Sequence, residues 1–246
     1  MIFLLLAAGV AAGLASTVAS LASVVSYPVL LALGLPPVTA NVTNTVALVF
    51  TAAGAAAGSR GELRGQWPLV ARLGAVTALD GAAGAALLLA TPATAFEAVA
   101  PGLIGAASVL LIVQAVSGRL TARRGAVASR WLRGALGAVA VYVGYFGAAG
   151  GILMLTVLTA MLDESPARIN AVKNVLSGFA NTAAAIGFAI FGPVRWTAAA
   201  PLAAGFVLGG WLGPKIVRRL PARPLRVGVG AAGLLLAVRL GFSTYR

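Results

Sequence analysis

Apolar stretches long enough to cross a membrane recur along the whole of this chain. A helix needs about twenty apolar residues to span a bilayer. Stretches of about that length or longer fall at 1–33, 40–58, 68–90, 98–117, 134–161, 170–191, 196–213 and 225–242. Only 9% of the residues are charged, against about a quarter in soluble proteins. The sequence therefore predicts an all-α polytopic membrane protein with about eight apolar segments.

One short polar pattern occurs twice, about half a chain apart. Residues 35–45 read LPPVTANVTNT, and residues 165–175 read SPARINAVKNV. In each copy a proline stands eight residues before an asparagine, and the offset between the copies is 130: Pro36 with Asn44, and Pro166 with Asn174. Proline is tolerated at a helix start, so each copy predicts the first turns of an apolar helix. The repeat predicts two related halves.

The first apolar stretch of each half is long and interrupted. Residues 1–33 contain several hydroxyl side chains before Pro28, and residues 134–161 contain the glycine-rich run 144–151. A purely structural explanation of these small residues is that they allow helices to pack closely. Matching breaks in two repeats favour a binding site instead. We therefore predict a first repeat at 1–117, a basic linker at 118–133 and a second repeat at 134–246, each repeat with a broken or re-entrant first segment plus three transmembrane helices.

The charge distribution predicts the topology. The net charge is +13, and the arginines cluster in 59–67, 118–133 and 214–226. Such clusters are typical of cytoplasmic loops, so nucleic acid is not an expected partner. If all three are cytoplasmic, 134–161 must begin and end inside, and the halves are inverted repeats. Eight full crossings with parallel halves are the alternative, which leaves one basic loop outside.

Four segments together resemble the sulfite exporter TauE/SafE family. They are Gly34–Leu48, Gly144–Leu155, Asn170–Asn174 and Gly209–Pro221. The resemblance covers essentially the whole chain, in order. It implies a transporter of small sulfur-containing anions, such as sulfite or organosulfonates, in the cell inner membrane. One departure is 20–28, SLASVVSYP, which lacks the glycine triplet that relatives usually carry there.

The candidate substrate site combines amides, hydroxyls, glycines and one lysine. A small oxyanion needs donors shielded from water, and helix N-termini and asparagines supply them. The predicted site residues are Asn41, Asn44, Thr45, Asn170, Lys173, Asn174, Ser20, Ser23, Gly147, Gly150 and Gly151. Because Thr43 matches Lys173 under the offset of 130, the charge should bias the site toward the second half. The alternative is that these residues have structural roles only. The asparagines would then bond neighbouring helices, and Lys173 would extend to the membrane–water interface or pair with a nearby acid.

Asp80 is the acidic residue nearest the middle of a long apolar stretch, 68–90. A buried lone carboxylate is costly, so we consider it a proton-coupling candidate, with a structural or solvated role as the alternative. The chain has no cysteine and no histidine. We therefore expect no catalytic residues, no metal, no cofactor and no enzyme.

Several functions stay open at this stage. The expected partners are a small anion and the lipid bilayer, and a homodimer and proton coupling are open. A carrier of another anion, such as a carboxylate, is the nearest alternative. A non-transporting membrane subunit is the rival from another class, and an intramembrane hydrolase is the most remote.

Overall fold

A computed structural model describes residues 1–19, 22–117, 130–147, 150–217 and 222–244. All regular elements among these residues are α-helices, which confirms the predicted fold class. The helices are α1 (Ile2–Ala19), α2 (Ala22–Ala32), α3 (Pro37–Gly58), α4 (Trp67–Ala90), α5 (Ala93–Ser117), α6 (Arg130–Tyr145), α7 (Gly150–Met161), α8 (Pro166–Phe191), α9 (Trp196–Val217) and α10 (Ala222–Thr244).

Five helices in the described part of the chain are long and apolar enough to cross a membrane. They contain the spans Pro37–Gly58, Trp67–Ala90, Ala93–Leu110, Pro166–Phe191 and Trp196–Gly213. The two interrupted stretches of the sequence each form two helices, α1 with α2 and α6 with α7. The second helix of each pair has only 11 or 12 residues. At 1.5 Å per residue this is about 17 Å, roughly half of a hydrocarbon core.

The helices of one half pack mainly against helices of the other. α9 packs on α1 and α3, and α4 packs in the same way on α6 and α8. α3 also contacts α8, and α5 contacts α10. The two predicted repeats are therefore interlocked in one bundle. Of the predicted linker, 118–129 lie outside the described residues, and α6 begins at Arg130.

Close glycine contacts fix the relative directions of these helices. A Cβ atom on Gly9 would lie 2.9 Å from Gly205 Cα, and one on Gly13 would lie 2.9 Å from Gly209 Cα, so α1 and α9 run parallel. Small residues allow backbones to approach this closely in a membrane. α3 is parallel to α9 as well, because its start is bonded to Arg195 and a Cβ on Gly210 would lie 2.6 Å from the Thr51 oxygen.

The second half repeats this arrangement in the opposite direction. Gly137 lies against Asp80 and the Tyr145 amide lies by Gly84, so α6 runs parallel to α4. Thr77 bonds the Leu176 carbonyl, and Gly81 abuts Ala180, so α8 is also parallel to α4. α3 and α8 are antiparallel to each other: Val42 lies beside Gly192, and Ala52 beside Gly178.

These directions show what α2 and α7 do. α1 and α3 run the same way although only α2 joins them, so α2 returns the chain to the end from which α1 started. α7 does the same between α6 and α8. Each half therefore begins with a helical hairpin that starts and ends at the same end of the bundle.

Candidate functional site

A small polar cavity lies between the two hairpins and the crossing of α3 with α8. Its volume is about 50 Å³, which is room for a small ion or a few water molecules. It is lined by Ser16, Ala22, Ser23, Leu48, Thr51, Ala52, Ala55, Val143, Gly147, Gly151, Lys173, Asn174, Ser177, Gly178 and Asn181.

The hairpin turns bring the beginnings of α2 and α7 to this cavity. Ala22 and Ser23 line it from the first turn of α2, and Gly151 lines it from the first turn of α7. The first amides of a helix lack internal partners and carry a partial positive charge. Gly147 has φ +71°, a left-handed conformation that favours glycine, and this lets the chain turn between α6 and α7.

Lys173 and Asn174 are the two residues of the cavity whose chemistry is best suited to an anion. Lys173 is only 2% exposed, and its Nζ lies 3.5 Å from the Ser16 carbonyl oxygen. Its ammonium group therefore points into the protein. Asn174 is 6% exposed, and its Nδ2 has no hydrogen-bond partner. A buried amide without a partner is costly, so a ligand acceptor would satisfy it.

Asn44 joins α3 to α2. Its Nδ2 donates to Ser23 Oγ at 3.1 Å, and its Oδ1 accepts from Ser26 Oγ at 2.5 Å. All three residues are buried, but only Ser23 lines the cavity. Asn44 therefore holds the beginning of α2 in place.

Asn41 and Asn170 each bond the end of the first helix in the opposite half. Asn41 Nδ2 donates to the Tyr145 carbonyl at 3.0 Å, and Asn170 Nδ2 donates to the Thr17 carbonyl at 3.3 Å. The last carbonyls of a helix need such external partners. The two bonds are equivalent, and they tie each hairpin to the other half.

The remaining predicted residues that the structure describes lie apart from the cavity wall. Thr45 Oγ1 donates to the Asn41 carbonyl of its own helix. Gly150 packs closely against Val143. Asp80 is half-buried beside Gly137 at the α4–α6 contact and does not line the cavity. Ser20 lies outside the described residues.

The helix starts set the register of the repeat at 129 residues, not 130. α3 begins at Pro37 and α8 at Pro166. Pro36 is the residue before the helix. The offset of 130 therefore paired Pro166 with the wrong one of two adjacent prolines, Pro36 instead of Pro37. In the corrected register Lys173 matches Asn44 rather than Thr43, and Asn174 matches Thr45.

Four cavity residues with polar side chains were not predicted from the sequence: Ser16, Thr51, Ser177 and Asn181. Thr51 is 5% exposed, and its hydroxyl has no partner. Ser177 and Asn181 follow Lys173 at intervals of four, so they share one face of α8. That spacing was visible in the sequence. In the register of 129 their counterparts on α3 are Leu48 and Ala52, which makes the cavity polar chiefly on the α8 side.

A comparison with protein families agrees with this architecture. The description of the matching family is sulfite exporter TauE/SafE, and the match covers residues 5–240. The chain belongs to this family. Neither a curated protein nor a solved structure matches it. As a family member the chain is a multi-pass membrane transporter of small sulfur-containing anions, in a family of transporters rather than enzymes.

Proposed function

We propose that this protein carries sulfite or a small organosulfonate across the cell inner membrane, and that the anion binds in the cavity between the two halves. The observation that supports this most directly is the buried pair of Lys173 and Asn174. Lys173 supplies a positive charge, and Asn174 supplies an amide with no internal partner. Ala22, Ser23 and Gly151, at the starts of α2 and α7, line the same space, and amides at a helix start are suited to an anion.

The energetics of an anion in this cavity favour such a set of donors. Moving an anion out of water is expensive unless charged or polar groups replace its hydration shell. A lysine ammonium provides a charge-assisted hydrogen bond, which is about twice as strong as a neutral one. Among the described residues that line the cavity, Lys173 is the charged one and none is acidic.

We further infer that the two halves are inverted repeats and that the basic segments face the cytoplasm. The antiparallel pairs α3 with α8 and α5 with α10 support the inversion. The directions of the helices also bring the ends of α3, α5 and α9 to one end of the bundle. The basic segments 59–67, 118–133 and 214–226 follow or begin at those ends, which agrees with positive charge inside.

The proposed function predicts stabilisation by the correct anion. Purified protein would be heated with sulfite, sulfate, thiosulfate, an organosulfonate or a carboxylate. A ligand at a hundred times its Kd raises the free energy of unfolding by about 2.7 kcal/mol. We expect sulfite or the sulfonate to raise the melting temperature of the wild type more than the others do.

The same panel separates the alternatives. Stabilisation by the carboxylate alone would assign a different substrate to the cavity. No stabilisation by any anion would favour a membrane subunit that does not transport.

A further inference from the structure

Four aromatic rings, three of them buried and one partly buried, lie together beside the cavity. We call Tyr27, Phe96, Tyr145 and Phe146 the ring cluster. The ring centroids of Tyr27 and Phe146 are 5.7 Å apart, those of Phe96 and Phe146 are 5.7 Å apart, and those of Phe96 and Tyr145 are 6.0 Å apart. Tyr27, Phe96 and Phe146 are at most 3% exposed. The rings therefore form one continuous aromatic layer across α2, α5 and the end of α6.

This layer adjoins the cavity at one end only. Phe146 directly precedes Gly147, and Tyr27 lies one helical turn beyond Ser23; both Gly147 and Ser23 line the cavity. The Tyr145 carbonyl is bonded by Asn41 in the first turns of α3. Phe96 is near the start of α5. The ring cluster thus lies toward the end at which α3 and α5 begin, which is the outer end in the proposed topology.

The matched positions at the other end carry no aromatic residue. The equivalent asparagine bonds match Tyr145 with Thr17, so Phe146 matches Val18. The register of 129 matches Tyr27 with Thr156 and Phe96 with Leu225. The Thr17 and Thr156 hydroxyls donate back to carbonyls of their own helices.

We propose that the ring cluster is the outer gate of the transport path: the rings close the cavity toward the outside and must separate before an anion passes there. At the other end the matched positions carry smaller, non-aromatic residues. Because the cluster joins the α1–α2 hairpin region to the α6–α7 turn and to α5, separation of the hairpins would open it. The gate rests on the proposed transport function, but it can be tested without any anion.

The test measures access to the cavity from each side of the membrane. The chain has no cysteine, so Ser177→Cys would place one thiol on the cavity wall. A membrane-impermeant thiol reagent would be added to intact cells and, separately, to inside-out vesicles. Phe96 contacts two rings of the cluster. We expect Phe96→Ala to speed labelling from outside by on the order of tenfold, since it removes two aromatic contacts that favour the closed state, with no increase from inside.

Phe206→Ala is the matched control. Phe206 is also fully buried, but it lies on α9 and outside the ring cluster, so its loss should leave outside labelling unchanged. If Phe96→Ala does not fold, Phe146→Leu against Phe206→Leu makes the same comparison with a smaller change. Equal labelling in gate and control variants, or faster labelling only from inside, would overturn the gate. That result together with intact stabilisation by an anion would leave the proposed function standing.

Discussion

Replacing Lys173 by methionine tests the candidate site most directly. Methionine keeps much of the side-chain volume and removes the charge. Lys173 is 2% exposed, and its Nζ is held near the Ser16 carbonyl beside the cavity. Replacing a buried charge by a well-packed apolar side chain is often neutral or stabilising for the empty protein. We therefore expect Lys173→Met to fold.

Its effect on anion binding should be large. Two unit charges about 4 Å apart attract by about 4 kcal/mol at an effective dielectric constant of 20. Leaving a buried charge without its partner costs about 3–5 kcal/mol. Both estimates agree, and they correspond to a rise in Kd of roughly two to three and a half orders of magnitude. Asn174→Ala should cost less, about 1.5–3 kcal/mol for one hydrogen bond to a charged group.

Isothermal titration calorimetry of monodisperse protein with the anion that stabilises it would measure these values. Lys215→Met is the comparison variant, because Lys215 is the other lysine of the chain and falls in the predicted basic segment 214–226. It should bind like the wild type. If folded Lys173→Met binds with an unchanged Kd, the lysine does not face the anion and the proposed site is wrong.

Four further predictions concern a hydrogen-bonded residue beside the site, proton coupling, stability in acid and the membrane topology. Asn44→Ala should lower the melting temperature, since it removes two buried hydrogen bonds worth about 1 kcal/mol each; an unchanged value would contradict its structural role. Asp80→Asn should abolish the response of transport to a pH gradient while anion affinity is kept, and a retained response would exclude coupling at Asp80. Hydrogen bonds from Gln66, and next from Arg168, lower the pKa of the Glu164 carboxyl below its ordinary value of 4.5. The ionised carboxylate therefore stabilises the folded protein above pH 4.5, and this contribution declines as the pH falls below that value. In the Glu164→Gln variant the melting temperature should therefore fall less between neutral and acidic pH than it does in the wild type. An equal fall in both proteins would contradict this. A cysteine at position 222 should resist an impermeant reagent applied to intact cells, and labelling there would support eight full crossings.

The fold was predictable from the sequence because membrane helices have a strong local signal. The apolar runs predicted the long helices to within a few residues at most ends, and the glycine-rich run 144–151 marked the break between α6 and α7. The polar residues predicted a site near the starts of α3 and α8, but Asn41, Asn44 and Thr45 of α3 do not line the cavity. Ser23, Gly147, Gly151, Lys173 and Asn174 do line one cavity.

The roles of the individual asparagines could not be predicted from the sequence, because they depend on contacts between residues far apart in the chain. Nothing local distinguishes Asn174, whose amide is unpartnered, from Asn44, whose amide is occupied by Ser23 and Ser26. Asn41 and Asn170 act on carbonyls more than a hundred residues away. The register failed by one residue for a local reason, since two prolines precede the first repeat and only Pro37 lies in the helix.

The two halves differ in the aromatic residues at matched positions, and this difference would affect the transport cycle. Two inverted halves with equal sequences would make the outward-closed and inward-closed states equal in free energy. In the proposed topology the outer end has three ring pairs, and no aromatic residue stands at the sequence positions that match these rings in the other half. At about 0.5–1.5 kcal/mol for each aromatic pair, the proposed gate would favour the outward-closed state by about 1.5–4.5 kcal/mol, or ten- to a thousandfold. A bound anion can reverse this preference only by binding the outward-open state that much more tightly. Because Lys173, Asn174, Ser177 and Asn181 all lie on α8, an anion bound as proposed would keep its main contacts on one helix while the hairpins rearrange around it.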